Sequence, residues 1–130
     1  MKRTKAYIFA VFFAAGTLWL AAPLMAHHSS AMFDATKTTE LTGTVKEFQW
    51  TNPHVWIHVN VKDANGAEEE WHVECTSVNF LARRGWSKRT FKPGDKVSIT
   101  LSPLRDGSKG GSFRTVNSLN GAPLQVESEE

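Results

Sequence analysis

Five histidines are the residues of this chain whose chemistry is most informative: His27, His28, His54, His58 and His72. A neutral imidazole is the commonest metal ligand in proteins, and nitrogen-rich sites favour copper over zinc in the Irving–Williams order. Two of the five, His58 and His72, lie on either side of a turn signal at Asn65 and Gly66. Whether they can share one metal ion depends on the strands that carry them.

The segments that flank this turn alternate as strands do. Apolar residues occupy every second position of 54–62 and again of 71–75. A three-residue loop with left-handed Gly66 keeps both apolar sets inside, whereas a two-residue turn would set inward Val61 against outward Glu70. The register therefore places His58 opposite His72 on the outer face.

Directly opposed residues of a hairpin are close enough for two imidazoles to share a metal ion. In this register Glu74 is the diagonal neighbour of His58, and it faces Trp56 on the same outer surface. The predicted metal site therefore has His58 and His72 as core ligands, with His54 and Glu74 as further candidates. Copper is the first expectation and zinc the second.

The beginning of the chain supplies a second set of candidate ligands. A basic start at Lys2, Arg3 and Lys5, an apolar run over 7–20 and the small residue Ala26 predict a secretory signal peptide over 1–26. Cleavage after Ala26 would free the amine of His27, which can chelate a cation together with its own imidazole and with His28. We therefore expect a protein of the bacterial periplasm or exterior; an uncleaved signal anchor, the alternative, would be its one membrane attachment.

The charge balance indicates which partners to expect. The 130 residues carry 15 basic and 13 acidic groups, but three of the basic groups and no acid lie in 1–26, which leaves 12 against 13. A near-neutral chain lacks the electrostatic footprint of nucleic-acid binding, so no nucleic-acid partner is expected. A local basic cluster remains, and we predict a partner-binding surface for a protein, a polysaccharide or lipid head groups at Trp56, Arg83, Arg84 and Trp86.

No pattern of residues predicts an enzyme. The sequence has no nucleophile elbow, P-loop, zinc motif or dinucleotide fingerprint. Its one cysteine, Cys75, excludes an intramolecular disulfide, and its alternation with Trp71 and Val73 predicts a buried thiol.

The elements that position these residues are strands separated by turns. Strand patterns cover 40–50, 54–62, 68–75, 96–101 and 112–119, with a short helix over 77–84 and a short edge over 123–126. A change of alternation phase beside Gly43 predicts a bulge. Three strands, a helix and two strands predict an all-β protein with one short helix, a five-stranded OB-like Greek-key barrel; a small β-sandwich is the alternative. The barrel domain spans 39–126, between a polar arm at 27–38 and an acidic tail at 127–130.

Several short motifs resemble those of a known group: Ala26-His27-His28-Ser29, Trp50-Thr51-Asn52-Pro53-His54, Arg84-Gly85-Trp86 and Lys92-Pro93-Gly94-Asp95. They resemble a family of small exported bacterial proteins of unknown function. The resemblance implies an exported β domain and assigns no catalytic or binding residue. The leading hypothesis is thus a non-enzymatic periplasmic protein that binds copper or another transition metal through histidines, and the alternative is an envelope interaction module.

Overall fold

The computed structural model describes residues 30–119. A 3₁₀ turn (Ser30–Met32) precedes β1 (Thr39–Gln49), β2 (Trp56–Lys62), β3 (Glu68–Glu74), α1 (Val78–Arg83), β4 (Lys96–Pro103) and β5 (Gly110–Ser118). The predicted signal peptide, the edge at 123–126 and the acidic tail lie outside these residues. Within them, no helix is long and apolar enough to cross a membrane.

The five strands form a closed barrel in the order β1-β2-β3-β5-β4, with β1 paired to both β2 and β4. The β3–β5 pairing is parallel and the other pairings are antiparallel. Strand number, order and the helix between β3 and β4 confirm the predicted OB-like barrel. The sandwich alternative is wrong, because closure leaves one continuous sheet.

One long, bent strand makes this closure possible. Residues Thr39–Thr44 of β1 pair with β4, and residues from Thr44 onward pair with β2. The register shifts between Val45 and Glu47, so the predicted bulge is confirmed, with Lys46 as its extra residue. At Gly43 a Cβ atom would lie 2.4 Å from the carbonyl oxygen of Asn60, so only glycine lets the two strands approach this closely.

The core consists of the inward positions of the strands, closed at one end by α1 and the loop after it. The ring of Trp86 packs edge-to-face on Phe91 and Phe113, with centroids 5.3 and 5.6 Å away. Trp86 is only 3% exposed, so its assignment to a partner-binding surface is wrong. The chain reverses at Gly85, whose φ is +85°, and this reversal carries Trp86 under the barrel instead of outward.

Two further core predictions are tested by the structure. Cys75 is a free, buried thiol, as expected, and burial raises its pKa. Trp71 packs against the core but is only half-buried, and the Nζ atom of Lys109 lies 5.5 Å from its ring centroid.

The described part of the polar arm packs on the β4–β5 connection. The backbone N–H of Asp34 donates to the Pro103 carbonyl at 2.8 Å, and Nη2 of Arg114 donates to the Ala35 carbonyl at 2.7 Å. Residues 30–37 therefore contact a different part of the barrel from the β2–β3 hairpin that carries the histidines.

Candidate metal centre

The β2–β3 hairpin has the register that the sequence predicts. His58 pairs with His72, Ile57 with Val73 and Trp56 with Glu74. The loop closes through a hydrogen bond from the Asp63 N–H to the Ala67 carbonyl, with Gly66 at φ +82°. The two imidazole rings consequently meet on the outer face, with centroids 4.6 Å apart.

The third member of this cluster is Glu70, which the sequence analysis did not select. Its Oε1 atom lies 3.3 Å from Nδ1 of His58 and 3.8 Å from Nε2 of His72. Each residue offers one ligand atom, and the three ligand atoms lie within 4.8 Å of one another. Glu70 lies on the second diagonal from His58, so the same geometric rule that suggested Glu74 could have found it.

Glu74 and His54 form a pair of their own. The carboxylate of Glu74 is buried, with 7% exposure, and its Oε1 atom contacts Nδ1 of His54. Neither residue belongs to the cluster of His58, Glu70 and His72, hereafter the His–Glu–His cluster. The structure therefore does not bring His54 and Glu74 into the cluster as the additional ligands predicted for it, and pairs them with each other instead.

Lys46, the extra residue of the β1 bulge, stabilises the charged form of Glu70. Nζ of Lys46 donates a hydrogen bond to Oε2 of Glu70, and this bond is the main reason that the pKa of Glu70 lies below its ordinary value. Glu70 is therefore a carboxylate at neutral pH, the form that binds cations. Its other oxygen, Oε1, faces the two imidazoles.

Exposure differs between the two imidazoles. The His58 side chain is 14% exposed, and its Nε2 atom is buried without a hydrogen-bond partner among the described residues. The His72 side chain is 51% exposed and gives the cluster an open side toward solvent. An ion can therefore reach the cluster without any movement of the barrel.

The donor set and its spacing fit a transition metal. Ligands bound at about 2.0–2.1 Å in tetrahedral geometry lie about 3.3 Å apart. The distances of 3.3 and 3.8 Å to Glu70 are close to this value, and all three ligand atoms lie within 4.8 Å of one another. Two imidazoles and one carboxylate suit zinc, copper or iron(II) and leave a coordination position open.

The remaining candidate residues are dispersed. Trp56 is half-buried on the outer face, and Arg83 is exposed at the end of α1. The guanidinium of Arg84 stacks on the Phe80 ring at 3.6 Å. His27 and His28 lie outside the described residues, so the terminal chelate stays a prediction.

Comparisons with known proteins identify the fold and a family but no ligand. Residues 16–114 match a family of unknown function (DUF6152), and no curated protein matches the chain. A crystal structure of Rim1, a mitochondrial single-stranded DNA-binding protein of S. cerevisiae, is similar at TM-score 0.50 and 9% identity, over 64% of this chain and 93% of that chain. A selenomethionine-labelled Rim1 structure gives 0.46 and 13%, over 64% and 94%. At such identities the likeness to the first structure shows the fold alone.

Proposed function

We propose that this chain, which belongs to the family of unknown function DUF6152, binds a divalent transition metal on the outer face of its barrel. The observation that carries the proposal is the His–Glu–His cluster, whose ligand atoms lie within 4.8 Å of one another. In OB folds the face of strands 2 and 3 is a common binding surface, and the cluster lies on the same two strands here.

Copper is the first candidate and zinc the second. The Irving–Williams order favours copper at any site of nitrogen and oxygen donors, and the cluster contains no sulfur ligand that would select otherwise. The proposal is metal binding without catalysis, in keeping with a sequence that contains no nucleophile elbow, P-loop, zinc motif or dinucleotide fingerprint.

Export belongs to the same proposal. The mature protein begins at His27 in the periplasm or outside the cell, and its terminal amine, His27 and His28 form a second copper-binding group. The order of basic residues, apolar run and small residue at the start of the chain supports this part.

Calorimetric titration of the untagged protein that begins at His27 tests the metal site. A polyhistidine tag must be absent because it binds the same ions. We expect stoichiometric Cu(II) binding, tighter than Zn(II) or Ni(II) binding. His58→Ala/His72→Ala and Glu70→Gln should each weaken the binding of the ion at the cluster at least about tenfold, and should leave binding at the terminal group unchanged. Loss of a residue that only contacts a metal ligand already costs about tenfold in affinity.

His54→Gln is the matched control, because it removes an outer-face histidine that touches a carboxylate away from the cluster. The His54→Gln variant should bind Cu(II) with the same affinity as the parent protein. Adding one residue before His27 separates the two copper-binding groups: affinity falls only if the terminal amine is a ligand. Equal weak binding by the parent and the cluster variants would overturn the proposal.

A further inference from the structure

A groove of about 510 Å³ lies between the end of β1 and the loop that precedes β4. It shares no lining residue with the His–Glu–His cluster, although Glu47 in the lining pairs with His58 across β1 and β2. Its size is that of a site for a small molecule. The lining residues are Glu47, Phe48, Lys88, Arg89, Phe91, Lys92 and Pro93.

The floor of the groove is aromatic and belongs to the barrel core. The rings of Phe48 and Phe91 meet edge-to-face, with centroids 5.4 Å apart and planes at 87°. Phe91 is 4% exposed and packs in turn on Trp86, so its position is fixed by the core. Phe48 is half-buried and leaves part of its ring facing the groove. An apolar surface is therefore already formed and needs no rearrangement to accept a ligand.

The rim of the groove carries three cationic side chains. Lys88, Arg89 and Lys92 are exposed, and none of their side chains forms an ion pair within residues 30–119. The nearby carboxylate of Asp95 accepts a hydrogen bond from the backbone N–H of Lys92 at 3.0 Å. Glu47, the one acid in the lining, accepts a hydrogen bond from the Gln49 side chain at 3.1 Å.

Three of the five other lysines in the described part of the chain form ion pairs, and Lys62 and Lys96 form none there. Lys37 pairs with Asp34, Lys46 with Glu70 and Lys109 with Glu69. What distinguishes Lys88, Arg89 and Lys92 is that all three line one groove with an apolar floor. Charge complementarity favours an anion there, and the apolar floor favours an apolar body.

We infer that this groove binds a small amphiphilic anion, with its aromatic or alkyl part on Phe48 and Phe91 and its negative group among the rim cations. A neutral hydrocarbon would leave the cations partly desolvated without a counter-charge, at a cost to binding. The ligand is a free molecule and not a bilayer surface, because the Phe91 ring lies at the bottom of a concave site and is nearly fully buried.

Two fluorescent dyes with nearly the same apolar body test the inference on the untagged protein: anionic anilinonaphthalene sulfonate and uncharged phenylnaphthylamine. We expect the anion to bind at least about tenfold more tightly, because three exposed charge pairings together reach that magnitude. Its affinity should fall as ionic strength rises from about 0.01 M to about 1 M, which shortens the Debye length from about 30 to about 3 Å.

Charge-matched variants localise the binding. Lys88→Gln/Arg89→Gln/Lys92→Gln should lose about tenfold in affinity for the anion and little for the neutral dye. The control Lys37→Gln/Lys62→Gln/Lys96→Gln removes the same charge elsewhere on the barrel and should change either affinity less than about twofold. Thermal melting of each variant confirms that the dye reports on folded protein.

Reducing the apolar surface of the groove tests the role of its aromatic floor independently of charge. Phe48→Leu should weaken both dyes by a similar factor, since both stack on the ring that it removes. Equal affinity for the two dyes, or equal losses in the two triple variants, would overturn the inference. So would sedimentation with anionic phosphatidylglycerol vesicles without binding of the free anion, which would indicate a membrane surface instead. Because the groove shares no lining residue with the cluster, His58→Ala/His72→Ala should leave dye binding unchanged.

Discussion

Replacement of Lys46 by methionine should tighten metal binding at the His–Glu–His cluster. The bulge in β1 places the Lys46 ammonium on Oε2 of Glu70, while Oε1 of the same carboxylate faces both imidazoles. A metal ion on Oε1 therefore shares one carboxylate with a cation. Methionine keeps most of the apolar stem and removes the charge.

The expected gain follows from Coulomb's law. An ion bound about 2 Å from Oε1 would lie about 5 Å from the ammonium on the other oxygen. Repulsion between a dication and a unit charge at about 5 Å in water lowers the binding constant about 15-fold without screening. With screening, the gain on removal of Lys46 is about tenfold near 0.01 M ionic strength and about fourfold near 0.15 M.

Titration of the untagged protein with Cu(II) and Zn(II) at both ionic strengths measures this gain. Lys62→Met is the control, since Lys62 lies four residues along β2 from His58, about 13 Å at the rise of a strand. At that distance the same charge change should alter affinity less than about twofold. Unchanged affinity in Lys46→Met, or an equal gain in Lys62→Met, would refute Glu70 as a ligand; weaker binding would mean that Lys46 serves to hold the carboxylate in place.

Three other predictions follow from the structure. Copper affinity should fall when it is titrated at about pH 5 instead of about pH 7, because protons compete with the metal for nitrogen ligands. The pKa of Glu70 is held below its ordinary value, mainly by the hydrogen bond from Lys46, so this carboxylate should contribute little to the loss. Gly43→Ala should destabilise the barrel by about 1–3 kcal/mol in chemical unfolding, because its Cβ would lie 2.4 Å from a backbone oxygen of β2, whereas Thr42→Ala, at the exposed neighbouring position, should cost little. The intact mass of protein recovered from the host envelope should correspond to a chain that begins at His27, and a mass that retains 1–26 would contradict cleavage.

Much of the site could be predicted because a hairpin is a local structure. Asn65 and Gly66 mark the position of the turn, and apolar alternation on both sides of it selects the three-residue loop over a two-residue turn. Together these two local rules place His58 opposite His72 without any knowledge of the other strands. The OB-like order of elements follows in the same way from turn signals and alternation.

The identity of the third ligand could not be chosen from spacing. Glu70 and Glu74 occupy the two diagonals from His58, and the spacing treats them alike. The twist of the strands brings one diagonal closer than the other, and His54, two residues before β2, contacts Glu74. Both effects depend on the three-dimensional path of the strands, which the alternation of apolar and polar residues does not specify.

The sequence by itself determined the strands, the hairpin register and the pairing of the two histidines, because each depends on residues close together in the chain. Only the tertiary structure decided that the bulge brings Lys46 to Glu70, that the loop after α1 carries Trp86 into the core, and that Phe48 and Phe91 form the floor of a basic groove. These three results join segments distant in sequence, and closure of the barrel is the physical event that brings them into contact.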